Sequence, residues 1–320
     1  MTEARFDYLR FTIKPEHELP NEPDESGKTP YDHCMSTLKC TLLLGDLFSK
    51  MVDCGRCLHY DRRWSYENVN LKVPTPDRYS EQGICLEFSS HGLDYFNSYL
   101  DSYGVSFKTW CGMLRALCFR GYAISITRLD YAMDDICRNR ENTTISLRRV
   151  VNAIQDGNLC CKARVWSDQG DDFRKLFSYK ASKKRRNGEE LEGLTVQLGA
   201  RQSEQICRFY DKFTEQKMKG NELPEACTAW TRCEFEYKGG NAMSVFNAYI
   251  DYSDKEFAEY MTGSALNFVR FVNRTSDNVS RCEVKRWWKS FLNGATKAVK
   301  FNKVKAAKSC LLYTSDAADD

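Results

Sequence analysis

YAISITRLDYAMDD, at residues 122–135, decides how the middle of the chain folds. Polar and apolar side chains alternate along it, and this two-residue period predicts a β-strand with one polar and one apolar face. The polar face would carry Arg128, Asp130 and Asp134. Two carboxylates on one face of a central strand cost several kcal/mol if they are buried without a partner. They therefore need a cation, which a divalent metal ion or Arg128 could supply.

Further strand and helix signals lie on both sides of this segment. Alternating or β-branched runs predict strands at 6–13, 83–92, 160–167, 173–180, 193–199, 205–212 and 231–239. Amphipathic spacing predicts helices over 34–52, 110–121, 255–272 and 284–295, and a further helix capped by Thr143 or Thr144 and closed by Gly157. The mixture indicates an α+β protein. We divide it into an N-terminal α+β part (1–120), a sheet core (121–240) and a mainly helical C-terminal region (241–309).

The composition limits the class of protein. The chain has 320 residues, a formal net charge of +3 and 15 cysteines, and its length allows one large domain or two ordinary ones. No N-terminal stretch resembles a signal peptide and no apolar run is long enough to cross a bilayer, so we expect a cytoplasmic protein without a membrane partner. Its cysteines would stay reduced there. The CGRC pattern at 54–57 lacks the second pair that structural zinc needs.

Two of the predicted strands carry charged residues at alternate positions. QICRFYDK (205–212) places a tyrosine between two cations, and TRCEFEYKG (231–239) places an arginine before two glutamates. These residues are Arg208, Tyr210 and Lys212 on the first strand and Arg232, Glu234 and Glu236 on the second. A tyrosine hydroxyl is a poor nucleophile at neutral pH because its ordinary pKa is near 10. Flanking cations would favour the phenolate and hold the phosphate that it attacks.

The carboxylates of this set predict a metal site. Hard oxygen ligands suit Mg²⁺ or Mn²⁺, which would polarise a scissile phosphate as a Lewis acid. The candidate ligands are Asp130, Asp134, Glu234 and Glu236. The sequence therefore predicts that Tyr210, assisted by Arg208 and Lys212, is aimed at a phosphodiester.

Additional basic and polar residues are candidates for binding DNA phosphates. In the turn GARQS (199–203) a glycine permits close backbone approach, and Arg201 and Ser203 offer donors. The other candidates are Arg128, Arg232 and the run Lys183, Lys184, Arg185 and Arg186. Spacing alone leaves a structural alternative open, in which the strands show ordinary cross-strand pairing and the basic runs are solvated surface.

Three motifs in order, TRLDYAMDD, GLTVQLGARQSEQICRFYDKFTEQ and WTRCEFEYKGG, resemble the replication initiation factor family. This family comprises the trans-acting Rep proteins of rolling-circle plasmids and phages, with related relaxases of conjugative elements. FDYLRFTI also looks like the family's N-terminal strand, and GICLEFSSHG looks like the glycine-containing end of a small strand in that family. The resemblance extends from about Phe6 to Phe271.

The resemblance implies an antiparallel sheet backed by helices, like that of rolling-circle nucleases, with a ferredoxin- or RRM-like core. It also implies metal-dependent nicking and joining of DNA. Tyr210 matches the tyrosine of the family's R-x-Y-x-K segment, which attacks a phosphodiester at the origin and leaves a 5′-phosphotyrosyl link and a free 3′-hydroxyl. The family's acidic positions fall on Asp130, on Asp134 or Asp135, and on Glu234 and Glu236. The His-hydrophobe-His pair of many rolling-circle nucleases is absent from the sequence, which is consistent with carboxylate ligation.

The implied partner is DNA, as a single-stranded or hairpin replication origin. A host helicase and a second copy of the chain are further partners that the resemblance allows. The basic segment 285–308 would grip DNA, while Trp287 and Trp288 either stack on it or, as we favour, pack in the domain. An alternative is a non-cleaving module of the same fold that binds an origin or operator. An RNA-binding sheet surface is disfavoured because charged residues occupy the face where exposed aromatics would be needed.

The last segment, CLLYTSDAADD (310–320), departs from the basic composition before it. It resembles a translated sequencing-adapter tail. We expect it to be non-native and exclude it from the fold.

Overall fold

The computed structural model describes residues 2–17, 22–57, 59–138, 145–163, 177–186 and 189–292, with 2–3, 177–186 and 189–192 described by their backbone alone. The strands are β1 (Thr2–Pro15), β2 (Val52–Asp53), β3 (Arg62–Tyr66), β4 (Val69–Val73), β5 (Ile84–Phe88), β6 (Tyr122–Arg138), β7 (Leu159–Cys161), β8 (Phe177–Arg186), β9 (Glu189–Leu198), β10 (Gln205–Asp211), β11 (Cys227–Lys238), β12 (Val269–Asn273) and β13 (Glu283–Val284). The helices are α1 (Pro30–Cys40), α2 (Gly45–Lys50), α3 (Tyr79–Gln82), α4 (Ser90–Asp101), α5 (Phe107–Ala116), α6 (Leu147–Gln155), α7 (Lys212–Lys219), α8 (Gly239–Asp251), α9 (Asp254–Phe268) and α10 (Arg286–Phe291).

Ten strands form one antiparallel sheet in the order β2-β3-β4-β5-β1-β6-β11-β10-β9-β8. A smaller sheet has the order β13-β12-β7. The long strand β6 lies at the centre of the large sheet, between β1 and β11. The α+β prediction and the antiparallel sheet backed by helices are confirmed.

The alternation along β6 determines which face of the sheet is covered by helices. Leu129, Tyr131 and Met133 are buried, and the Tyr131 ring packs edge-on against Phe257 of α9, with 5.9 Å between the ring centroids. The residues between them lie on the opposite face. That face is polar.

Strand β1 contains a β-bulge next to the polar face. Phe6 lies opposite Tyr131 and Tyr8 lies opposite Asp130, so Asp7 is an extra residue in β1. Phe6 packs against Tyr131 with 5.8 Å between the ring centroids. A bulge re-aims a side chain without ending the strand, and Asp7 consequently hydrogen-bonds to Arg232 on the polar face.

Two predicted helices end earlier than the sequence indicated. The segment 34–52 forms α1 and α2 rather than one helix, because Leu43 has a φ of 58° and the carbonyl of Leu42 accepts a hydrogen bond from the Trp110 indole instead of a helical amide. The helix predicted over 255–272 ends at Phe268, and the β-branched run that follows forms β12.

Two further differences concern helix starts. Lys212 was predicted on a strand but is the first residue of α7, because the Asp211 side chain accepts a hydrogen bond from the Thr214 amide and caps the helix. Helix α6 begins after Ser146, whose hydroxyl accepts from the Arg149 amide. The predicted caps Thr143 and Thr144 lie outside the described residues.

The predicted division at residues 120 and 121 stays a prediction, but the sheet crosses it, since β1 pairs with β6 along nearly its whole length. In the C-terminal region Trp288 is fully buried against Phe209 and Phe271, at centroid distances of 5.9 and 5.4 Å, so it packs in the core. Described cysteines are free thiols. No helix in the described ranges is long and apolar enough to span a membrane. Residues 293–320, which include the expected adapter tail, lie outside the description.

Candidate active site

The register of β6, β11 and β10 brings the predicted residues together on the polar face. The residues directly opposite one another are Asp130 and Glu236, Glu234 and Arg208, and Arg232 and Tyr210. Directly opposite side chains on an antiparallel pair have Cβ atoms roughly 5 Å apart. A cavity of about 300 Å³ opens beside Tyr210, Arg208 and Glu234. A larger cavity of about 410 Å³ lies at the far end of β6 and contains none of these residues.

The Tyr210 hydroxyl donates a hydrogen bond to Glu234 Oε2 at 2.8 Å. Burial raises the pKa of Tyr210 well above its ordinary value, and the negative charge of Glu234 raises it further, although Arg232 acts in the opposite direction. This direction is the reverse of what the flanking cations predicted. The resting side chain is therefore a neutral donor held against a carboxylate.

Arg208 bridges the acidic residues on the neighbouring strand. Its Nη1 lies 3.2 Å from Glu234 Oε1 and its Nη2 lies 2.8 Å from Glu236 Oε2. Its Nε donates to Gln197 Oε1 on β9 at 3.0 Å. Arg208 thus orders both glutamates in the resting site, and Gln197 is a contact that the sequence did not reveal.

Lys212 lies on the other side of Tyr210. Its Nζ is 2.9 Å from Glu215 Oε2 and 5.7 Å from the centre of the Tyr210 ring. Burial and the neighbouring Arg232 lower the pKa of this lysine, and Glu215 opposes the shift. The helix start at Lys212 therefore still delivers the predicted cation to Tyr210, although from α7 rather than from β10.

Asp130 is held by Arg128 on its own strand. Arg128 Nε donates to Asp130 Oδ1 at 2.8 Å, and Arg128 Nη2 lies 3.2 Å from Glu236 Oε2. Lys238 Nζ lies 2.9 Å from Glu236 Oε1. Burial raises the pKa of Asp130 to about 7, and Glu234 and Glu236 add to the rise while Arg128 opposes it. Three carboxylates are therefore crowded on one face and are compensated by cations.

Asp134 has different partners from Asp130. It accepts hydrogen bonds from Arg232 Nε and Nη2 and from Trp230 Nε1, each at 2.7 Å. Arg232 is 0% exposed, so it has no surface to offer a DNA phosphate. In the structure Asp134 and Arg232 are each other's partners, and the metal and phosphate contacts predicted for them stay predictions. Asp135, the alternative acidic position, accepts from the Ile145 amide at 2.8 Å in a buried setting.

The turn with Arg201 and Ser203 lies at the opposite end of β10 from Tyr210. Lys238 Nζ donates to the Arg201 carbonyl at 2.6 Å, which places the turn beside the Glu236 end of the cluster. The basic run lies on β8, where Lys183 is opposite Glu192, Lys184 opposite Leu191, Arg185 opposite Glu190 and Arg186 opposite Glu189. The side chains of that run lie outside the description. The turn therefore lies away from Tyr210 on the sheet.

The carboxylates fit a hard divalent ion by their donor chemistry. Asp130, Glu234 and Glu236 offer oxygen ligands from two adjacent strands, and the raised pKa of Asp130 reflects burial and a repulsion that a cation would relieve. Among the described residues, no three histidine, cysteine or acidic side chains already form a metal-binding group. Arg128 and Arg208 pair with these carboxylates instead, and would have to move to admit an ion.

Comparisons with known proteins agree with the fold. The NicK protein of Bacillus subtilis (strain 168), named as a candidate DNA relaxase, is 27% identical over 232 residues, which are 71% of this chain and 58% of that relative's length. A solved structure of a rolling circle replication initiator protein from Geobacillus stearothermophilus superposes with a TM-score of 0.64, covering 93% of this chain and 97% of the other at 18% identity.

The family model described as replication initiation factor matches residues 124–314. This range contains β10, β11 and all of β6 except its first two residues, and therefore includes Tyr210 and all the candidate metal ligands. The predicted resemblance is confirmed. Since the match covers more than half of the sequence, the chain belongs to the replication initiation factor family.

Proposed function

We propose that this chain nicks and rejoins DNA as a rolling-circle replication initiator or relaxase, with Tyr210 as the nucleophile. The observation that carries the proposal is the hydrogen bond from the Tyr210 hydroxyl to Glu234, 2.8 Å long, within a cluster of carboxylates and arginines. The family match and the names of the two similar proteins support the same activity.

In the proposed step, the Tyr210 oxygen forms a bond to the phosphorus of a phosphodiester while the bond from phosphorus to the 3′-oxygen breaks. The phenolic proton passes to Glu234, which already accepts the hydrogen bond, because a general base must lie within about 3 Å of the proton that it removes. The departing 3′-oxygen takes up a proton and becomes a free 3′-hydroxyl. The 5′-phosphate stays attached to Tyr210, so rejoining is the reverse reaction.

Arg128 and Arg208 are the arginines of the cluster that can contact the phosphate. Their side chains are 29% and 22% exposed, in contrast to the fully buried Arg232. A phosphate beside Tyr210 would compete with the carboxylates for these guanidinium groups. Lys212, held against Glu215, would add positive charge on the other side of the ring.

A magnesium or manganese ion, when bound, would be held by Asp130, Glu234 and Glu236 and would act as a Lewis acid on the scissile phosphate. Asp130 must lose its proton to serve as a ligand, and its pKa of about 7 allows this near neutral pH. Nicking that persisted undiminished in excess chelator would remove the metal from the proposal.

The proposed partner is a DNA origin, either single-stranded or hairpin. A host helicase and a second copy of the chain remain proposed partners that follow from the family resemblance. The proposal places the protein in replication or transfer of a plasmid, phage or integrated element.

The experiment uses single-stranded oligonucleotides of random sequence, labelled at the 3′ end, incubated with the protein and Mn²⁺ and separated under denaturing conditions. We expect a labelled covalent adduct, with the nucleotide on the peptide containing Tyr210. The adduct should vanish in Tyr210→Phe and persist in Tyr8→Phe, a matched control in which another tyrosine of the polar face, 4.2 Å from the Arg128 guanidinium, loses its hydroxyl.

Each remaining outcome would contradict part of the proposal. DNA that binds without forming an adduct, even with Mn²⁺, would favour the alternative, a non-cleaving origin- or operator-binding module. An adduct on a different tyrosine would keep the reaction class but exclude Tyr210 as the nucleophile.

A further inference from the structure

A buried guanidinium next to Tyr210 is held by carboxylates from two other strands. Arg232 lies directly opposite Tyr210 on β11. Its Nε and Nη2 donate to Asp134 of β6, and its Nη1 donates to Asp7 Oδ1 of β1 at 2.7 Å. All three nitrogen atoms of the guanidinium are thus fixed by charged partners.

Asp7 reaches Arg232 because of the bulge in β1. In an uninterrupted strand Asp7 would share the apolar face with Leu9 and Phe11, both of which are buried in the core. The extra residue at this point places Asp7 on the polar face instead. At Asp7 the regular pairing between β1 and β6 is interrupted, and this interruption places one carboxylate in the site.

Other groups hold Asp7 in this position. Ser90 Oγ, at the start of α4, donates to Asp7 Oδ1 at 2.8 Å, and Arg5 Nη2 lies 3.2 Å away. Although burial acts in the other direction, Arg232, Ser90, Lys212 and Arg5 hold the pKa of Asp7 below its ordinary value. Asp7 is therefore a stable negative charge beside Arg232, the cation that lies opposite Tyr210.

We propose that Asp7 is a positioning residue for Tyr210, which acts by fixing the Arg232 guanidinium opposite the tyrosine. This inference rests on the proposed role of Tyr210 as the nucleophile. When the hydroxyl attacks a phosphate, negative charge develops on or near the phenolic oxygen, and a cation already fixed beside it needs no reorganisation. Asp7 lies before residue 124, where the family match begins, so the site is completed by a residue outside the matched segment.

The test compares Asp7→Asn with Asp94→Asn in the full chain. Both carboxylates pair with Arg5, but Asp94 is half exposed, whereas Asp7 also holds the buried Arg232. Asparagine keeps the shape of the side chain and removes its charge. Adduct formation with the labelled oligonucleotides is followed at pH 7.

We expect Asp7→Asn to lower the maximal rate by about tenfold or more, since small displacements of a catalytic group have large effects. Each rate is divided by the fraction of folded protein, which circular dichroism measures. A maximal rate equal to that of Asp94→Asn would overturn the inference.

A second measurement needs no DNA. In protein labelled with ¹⁵N-arginine, the side-chain NMR signal of Arg232 is identified by its loss in Arg232→Lys. The Nη protons of a fixed, buried guanidinium should be protected from exchange with water, and this protection should fall in Asp7→Asn but not in Asp94→Asn. Unchanged protection would show that Asp7 does not fix Arg232. If the wild type formed no adduct, the proposed function would fail while this arm still decided the structural claim.

Discussion

Asp134→Asn should destabilise the protein because it breaks a buried ion pair. Two of the hydrogen bonds that Asp134 accepts come from Arg232, each 2.7 Å long, and Arg232 is 0% exposed. Removing one member of a buried pair typically costs about 3–5 kcal/mol, because the other charge stays buried without compensation. Asp7 continues to neutralise Arg232 in part, so we expect the lower end, about 3 kcal/mol. With about 2.1 cal/mol/K of unfolding entropy per residue, this loss corresponds to roughly 5 °C in Tm.

The assay is urea unfolding at pH 7, followed by circular dichroism, with Asp94→Asn as the control. Asp94 forms an exposed pair with Arg5, and its loss should change the free energy of unfolding by less than about 1 kcal/mol. A second control combines Asp7→Asn, Asp134→Leu and Arg232→Met, which should recover much of the loss because all three charges of this buried group are removed.

Equal stability of Asp134→Asn and Asp94→Asn would refute this account of the buried pair. The same variants also separate the structural interpretation from the one that the sequence favoured. If Asp134 were a metal ligand, Asp134→Asn would weaken Mn²⁺ binding at least tenfold. We expect instead that the affinity for Mn²⁺ changes by less than about twofold, because both oxygens of Asp134 already have protein donors.

Three further predictions follow from single features of the chain. Asp130→Asn should gain stability relative to the wild type between pH 5 and pH 8, because a carboxyl whose folded pKa is raised to about 7 destabilises the fold as rising pH ionises it; equal differences in urea midpoint at both pH values would contradict this. Gly199→Ala should lose about 1 kcal/mol or more, since Gly199 has a φ of +101° and an added Cβ would lie 3.1 Å from the Gln205 carbonyl, whereas Gly112→Ala, with open space in α5, should be neutral or stabilising. Replacing residues 183–186 with serine should reduce the slope of log affinity for single-stranded DNA against log salt by about 3, at about 0.7 per phosphate contact; an unchanged slope would identify the run as solvated surface.

The sequence predicted the polar face of β6 correctly because alternation is a local property. Each side chain's face depends only on its own strand, and the same holds for Glu234 and Glu236 on β11. Lys212 was placed on the wrong element because the alternation of Arg208 and Tyr210 continues through it. The cap at Asp211, which the structure shows through its bond to the Thr214 amide, was the available signal for the helix start.

Asp7 was missed because its role depends on a bulge. FDYLRFTI contains a weak signal of the bulge, since Phe6 and Leu9 both face the core although they are three positions apart. An uninterrupted strand cannot bury both on one face. The pairing of Asp134 with Arg232 was also inaccessible, because it depends on the register between β6 and β11 rather than on either strand alone.

The arginines of the polar face divide into two kinds, and this division explains how one cluster could stay stable and still bind a phosphate as proposed. Arg232 is buried and holds fixed partners, so it cannot leave without a large cost. Arg128 and Arg208 are partly exposed and share Glu236, so each can exchange one carboxylate contact for another anion. Together with Lys238, they balance the charges of Asp130, Glu234 and Glu236.

A phosphate that reaches Tyr210 upsets this balance. It adds a negative charge and draws Arg128 or Arg208 away from the carboxylates, which then repel one another more strongly, as the raised pKa of Asp130 already shows in part. A divalent cation would offset that repulsion. We therefore expect DNA and Mn²⁺ to bind with positive coupling, so that each raises the affinity for the other by the same factor. Titration calorimetry of the Tyr210→Phe variant, which lacks the proposed nucleophile, would measure that factor, and independent binding of the two would contradict the charge-balance account.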